Sequence, residues 1–491
     1  MIRQPVLYAI LLVFPLFGAS AQEPGLPVSF EQAVEMVNRD NKSIRIAEQG
    51  LDWAKSERQR LNSFWYPRIS ASGAYVHMAN DIEVKESLSA FTDPVKDFIL
   101  SIDPGEQIIT SLLNNLGSHS FSVPLAPRNV STIDATVALP IFTGGKRIYA
   151  GRIGKSMVGA AEVNRKQVSA DQQVLLVETY FGVRLGQKIV EVRQQTYDAL
   201  EQHFQNALKL EATGMLTKTE RLLFQVNRDE AKRELETAVK DLSVAQNAFK
   251  TLVQIETDEN ILPVSPLFIN ESLPALDYFK SLVGRDNYIV QGLGIQQDIQ
   301  QNQIKIANSA YMPAIELFGK QTLYSSGIRK NLVPRSLIGV GFTWNLFDGL
   351  GREKQIRQAK INHRILTVEK EKAADDLTLA VDKFYNQTQT ALDNVTALQT
   401  TVEMSREIVR ARHKSFQEGM ATPTEVIDAE LLLSKVRVAI LMAYYQFDTG
   451  LINLLAVCGM PESFDQYSRN GKDETSLTDR RTDAVNGTIN N

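Results

Sequence analysis

The chain has 491 residues and a formal net charge of −4, with no basic block, which excludes nucleic acid as an expected partner. Its single cysteine, Cys458, excludes an internal disulfide and a thiolate metal cluster. The five histidines are scattered, none at HExxH spacing, so the sequence names no metal ligand and no cofactor.

Met1–Ala21 carries Arg3, an apolar run from Val6 to Phe17, and Ala19-Ser20-Ala21. This is the pattern of a secretory signal peptide cleaved near Ala21. No cysteine follows the run, so no lipid anchor is expected at the new N-terminus. Outside this stretch no apolar run approaches the ~20 residues of a spanning helix.

Ser29–Ser63 reads as a helix, with Ser29 as N-cap and Pro67 beyond its end. A strand follows at about 69–78, with Ile69, Ala71, Gly73 and Tyr75 on one face. Ala79–Pro127 is rich in Asp, Ser, Pro and Asn and reads as a long surface loop with short helical pieces. In the next strand, about 131–142, Ile133, Ala135, Val137, Leu139 and Ile141 alternate with Thr132, Asp134, Thr136 and Ala138. Asp134 on the minority face suits a wet interior better than a dry core.

From Gly144 the period is helical to Leu210, a length on the order of 100 Å that needs a coiled coil or a wall of helices. Gly214 breaks it, and a second helix runs from about Thr219 to Val253, followed by a linker at Leu262–Leu273. Leu276–Ser309 reads as a helix, then Ile315, Leu317 and Gly319 alternate with Glu316, Phe318 and Lys320 in a strand at about 314–324. The strand at about 335–347 places Ile338, Val340, Phe342, Trp344 and Leu346 on one face. Another long helix runs to Gln417. Its positions Leu377, Val381, Phe384, Thr388, Ala391, Val395, Leu398, Val402, Ser405 and Val409 alternate four-then-three, a heptad seam. Gly419 breaks it, Thr424–Val457 returns, and residues 465–491 read as a polar, disordered tail.

The chain is an internal duplication. Ala138–Arg147 aligns with Thr343–Arg352 at an offset of 205 residues, and the same offset carries Gly214-Met215 onto Gly419-Met420. Upstream, Asn38–Asn41 matches Gly284–Asn287 at 246, so one insertion of 41 residues separates the copies. The halves are 28–262 and 274–460. Together they supply four strands of about ten residues, the length that crosses a bilayer in a barrel. Four strands cannot close, and open edges are not tolerated in lipid, so two, three or four chains must combine. The charged helices would project into water.

The duplicated Leu139–Gly144 and Trp344–Gly349 turns, with the tips Gly214–Glu220 and Gly419–Glu430, resemble the TolC-type outer-membrane efflux protein family. The resemblance covers about Val28 to Met460. It implies an α+β membrane protein: a homotrimer with a twelve-stranded β-barrel in the outer membrane, continuous with a long periplasmic α-helical coiled-coil barrel. It implies passive export, by efflux or type I secretion, of substrates delivered by an inner-membrane RND-type pump or ABC transporter through a periplasmic adaptor (membrane fusion) protein. By match, Gly214, Met215, Leu216 and Thr217 form one adaptor-contacting tip, and Gly419, Met420, Ala421 and Thr422 the other. Some members carry an arginine two residues after the tip glycine; Ala421 stands there instead, so that lock is expected to be absent. Acids at positions matching Glu425 and Asp428 face the lumen in the family, and three copies would form cation-selective rings. Alternatively they only complement a helix N-terminus, as Gly214 and Gly419 also serve as helix C-caps.

No catalytic constellation is present; Gly144-Gly145-Lys146 lacks the preceding glycine and following Ser/Thr of a phosphate loop. The chain is therefore read as no enzyme. The competing class is a soluble periplasmic coiled-coil scaffold without a pore, which has no need of strands carrying Asp134, Glu316 and Lys320 on one face.

Overall fold

A computed structural model describes residues 26–255, 261–327 and 334–474, apart from the side chains of 123–125; the signal peptide reading lies outside them. In chain order the first half contains β1 (Leu26–Val28), α1 (Phe30–Asp40), α2 (Lys42–Asn62), β2 (Arg68–His77), β3 (Ile82–Ser87), α3 (Ser89–Ile102), α4 (Ile108–Gly117), β4 (Ser120–Ala126), β5 (Asn129–Thr143), α5 (Lys146–Ala212) and α6 (Lys218–Val253). There follow β6 (Ile261–Pro263), β7 (Phe268–Ile269), α7 (Leu276–Asp286), α8 (Tyr288–Asn308), β8 (Ala314–Ser326), β9 (Ser336–Thr343), α9 (Gly351–Gln417), α10 (Pro423–Val457), α11 (Phe464–Arg469) and β10 (Lys472–Asp473). No helix among the described residues is long and apolar enough to cross a membrane.

The chain forms two units, 52–159 with 295–367, and the described residues of the remainder. The first is built on one antiparallel sheet of order β2-β5-β8-β9. Its cross-strand rows sort by face. Ile69, Val137, Gly319 and Ile338 lie in one row, and Ser70, Thr136, Lys320 and Leu337 in the next. A further row of the polar face holds Ser72, Asp134 and Thr322. There Lys320 Nζ lies 2.8 Å from Asp134, whose Oδ1 accepts from Thr322 Oγ1 at 2.7 Å. Gly339 and Gly341 on this face leave room for the Phe318 ring: a Cβ at Gly339 would come within 2.9 Å of it.

Strand β9 stops at Thr343, short of the expected 347. Thr343 pairs with Ala314, the first residue of β8, so the partner strand has run out; beyond it the Arg352 guanidinium donates to Asn345 O (2.8 Å) and Leu346 O (3.0 Å) and lies over the Tyr311 ring. Those carbonyls are thereby drawn out of any ladder. The first half repeats the device, with Arg147 donating to Ile141 O and stacking on Trp65.

The insertion, expected as a long loop with short helical pieces, has those pieces as α3 and α4 and adds a pair of strands that was not expected. β3 and β4 pair antiparallel, and α3 and α4 follow one another between them.

The second unit is helical. Each half's first helix is split, at Asn41 and at Asn287, the first at the interruption that Arg39-Asp40-Asn41 makes in its apolar face. The Asn41 side chain accepts from Ser43 N and Ile44 N and donates to Gln172 and to Leu252 O. Asn287 accepts from Ile289 N and Val290 N and donates to Val457 O. Each thus caps the following helix and ties the break to a neighbour. The core gathers Phe30, Tyr180, Phe181, Phe249, Phe268, Phe279, Phe447 and Phe464. Six of the ten heptad-seam positions are buried: Val381, Thr388, Ala391, Val395, Val402 and Ser405.

The tail reading is corrected at its start. Residues 464–473 are helix and strand, β10 pairs with β7, and Glu474 is buried against Arg184 at 2.9 Å. Phe464 anchors this segment in the aromatic core, and 475–491 lie outside the described residues.

Candidate functional site

The two tips fold by the same rules because they are copies. At the first, Gly214 sits at φ +74°, Gly214 N donates to Glu211 O and Met215 N to Leu210 O. At the second, Gly419 sits at φ +72°, Gly419 N donates to Phe416 O and Met420 N to Ser415 O. These paired bonds are Schellman caps, and the left-handed backbone is the conformation glycine adopts without strain. Two residues further on, Thr217 and Thr422 open the returning helices with capping boxes. Thr217 N donates to Glu220 Oε2 and Thr422 N to Glu425 Oε2, both at 2.8 Å. Pro423 occupies the first turn, where no backbone donor is needed.

The tip side chains divide by environment. Met215 (77%) and Met420 (71%) are fully presented to solvent, an unusual state for large apolar groups. Leu216 turns inward onto Leu200, Phe204, Phe224 and Ile427. Thr217 and Thr422 are exposed, and Ala421 is half-buried.

Glu425 and Asp428 separate in role. The Glu425 carboxylate is held by the capping box and by Arg412 at 2.8 Å. The Thr422 backbone N–H, with the Thr422 hydroxyl and the Arg412 charge, holds its pKa below the usual carboxylate range. Asp428, one turn later, is exposed and makes no ion pair among the described residues. Glu425 thus caps the helix N-terminus, a role that Asp428 does not share.

Sequence reasoning missed one constellation. His203, His413 and Glu430 converge behind the tips, from three helices. They lie hundreds of residues apart in part, so no local spacing announces them.

The second component is the sheet. On one face Ile338 (84%), Phe342 and Val340 of β9 and Ile69 of β2 are exposed, an apolar band that nothing among the described residues covers. The outer strands β2 and β9 each have one unpaired edge in the four-stranded sheet.

Comparison with known proteins follows the same line. Residues 291–460 match the family model described as outer membrane efflux protein. Alkaline protease secretion protein AprF of Pseudomonas aeruginosa is 23% identical over 328 residues, 63% of this chain and 66% of AprF. The chain thus spans just under two thirds of AprF. Outer membrane efflux protein BepC of Brucella suis is 20% identical over 352 residues, 70% of this chain and 76% of BepC. Among solved structures, the outer membrane protein VceC of Vibrio cholerae aligns with a TM-score of 0.68 at 14% identity, covering 88% of this chain and 96% of VceC. That likeness shows the fold.

Proposed function

We infer that this chain, a TolC-type outer-membrane efflux protein, is a passive exit channel whose barrel is completed by three copies of itself. The observation that carries the reading is the two-faced sheet with unpaired outer edges. Its apolar face suits lipid, its Asp134–Lys320 face suits water, and an edge strand in lipid must find a partner. Three copies give twelve strands. A soluble scaffold would leave Ile338, Val340 and Phe342 exposed to water without reason.

The helices of the second unit then form the periplasmic wall, and the exposed tips around Met215 and Met420 are the surface for a periplasmic adaptor. The adaptor couples the channel to an inner-membrane RND-type pump or ABC transporter. Residues 1–21 act as the cleaved leader. The Schellman glycines, Leu216 and the two threonines set the shape of the tips, while the methionines make the contact. At the aperture, three copies of Asp428 supply a negative ring; Glu425 adds charge but is partly neutralised by Arg412.

Planar-bilayer recording on the purified protein tests this. Discrete cation-selective steps are expected, with selectivity reduced several-fold in Asp428→Asn and little changed in Glu425→Gln. Steps with no cation preference would remove the acidic ring. A silent bilayer from protein that also runs as a monomer would remove the channel.

A further inference from the structure

Behind the tips, three donors from three helices point at one spot. His203 comes from α5, His413 from α9 and Glu430 from α10, and their ligand atoms all lie within 4.8 Å of one another. His203 Nε2 is 3.7 Å and His413 Nε2 3.5 Å from Glu430 Oε1. Both separations exceed a hydrogen bond. His203 is 4% exposed, and its Nε2 is buried with no hydrogen-bond partner among the described residues. A buried orphan nitrogen aimed at a carboxylate it does not reach calls for a third party.

The geometry fits an ion. Four-coordinate zinc with bonds of 2.0–2.1 Å needs ligand atoms about 3.3 Å apart, so small side-chain shifts would suffice. The His203 ring is held by stacking against Phe224 at 6.0 Å, and the two imidazole rings lie 4.3 Å apart. Glu430 is largely buried and His413 is 36% exposed, which leaves one open side for entry and for a water as fourth ligand. Two imidazoles and one carboxylate favour zinc, cobalt, nickel or copper over calcium or magnesium.

We propose that His203, His413 and Glu430 form a divalent transition-metal site that staples α5, α9 and α10 within about three turns of the tips. The site does not depend on the channel reading. Since these helices carry both tips, a bound ion would restrain the segments that must move for any opening.

The test uses the full chain in detergent, tag-free and stripped with chelator. Wild type should bind one Co²⁺ per chain, with the intense visible absorption of a four- or five-coordinate ion, displaced by Zn²⁺. His413→Ala and Glu430→Gln should each weaken binding at least ~100-fold while keeping wild-type circular dichroism; a lost ligand should cost no less than the 10–100-fold of a lost outer-shell partner. His413 is partly exposed and Glu430→Gln keeps the shape, so a misfolded variant leaves the other to decide. No binding by wild type at about 100 μM free ion, or equal binding by a folded variant, overturns the site. Hydrogen exchange around 200–220 and 405–435 should slow with Zn²⁺ in wild type only; unchanged exchange with the ion bound overturns the staple.

Discussion

At the scale of single residues, several positions hold the fold at some cost. Asp448 on α10 is fully buried, and among the described residues neither carboxylate oxygen has a hydrogen-bond partner of good geometry. Burial pushes its pKa well above the ordinary carboxylate range, and the nearby Glu474 adds to that. A raised acid pKa means the folded state keeps the proton that the unfolded state gives up. The favourable contribution is therefore full below about pH 4 and declines as pH rises toward the folded pKa. Asp448→Asn should be near neutral at pH 4 and stabilise by on the order of 1–3 kcal/mol at pH 8, read from thermal melts at both pH values. Leu350 is a second case. It sits at φ +66°, where its counterpart in the first copy is Gly145. Leu350→Gly should raise stability by about 0.5–1 kcal/mol, whereas the same change at half-buried Leu216 of the tip should lower it. The sequence disclosed the tip glycines as helix C-caps, because such caps are local, but it did not mark Thr217 and Thr422 as N-caps. It did not disclose Asp448, since its burial depends on residues brought together only by folding.

At the scale of elements, periodicity was legible wherever one face is apolar. The heptad seam of α9 and the alternation of the four strands match the structure, because both patterns repeat over many residues. The helical pieces of the insertion were legible, but its paired strands were not, because β3 and β4 are short and pair across the two helices between them, with no tight turn to announce a hairpin. The ordered segment after Asp465 was hidden likewise, since it is fixed mainly by Phe464 reaching a distant aromatic core. The strand faces give the prediction at this scale. Ile338→Lys puts a charge on the apolar band and should cost about 2–4 kcal/mol of membrane insertion if it sits near the midplane. Fractionation should find less of this variant in the outer membrane. Leu337→Lys, in the row of Lys320, should insert like wild type.

At the scale of the whole molecule, the duplication explains why two tips, two arginine-capped turns and two split helices recur. It also supplies two strands per copy, four in all, too few for a single chain to close a barrel. What no repeat could disclose is the His203–His413–Glu430 cluster, which has no counterpart in the other half and is assembled from both. The sheet order leaves β2 and β9 as the outer strands, so the barrel proposed above would close by pairing β9 of one copy with β2 of the next. Paired cysteines test this directly. Ile69, Ala71 or Tyr75 in β2 would be replaced together with Ile338, Val340 or Phe342 in β9, all on the apolar face. The native Cys458 is fully buried, and burial raises its thiol pKa to about 12, so it stays silent. On oxidation in membranes, at least one pair should give a ladder of covalent products ending at three chains. No product from any pair, or a ladder running past three, would contradict a barrel made of three copies.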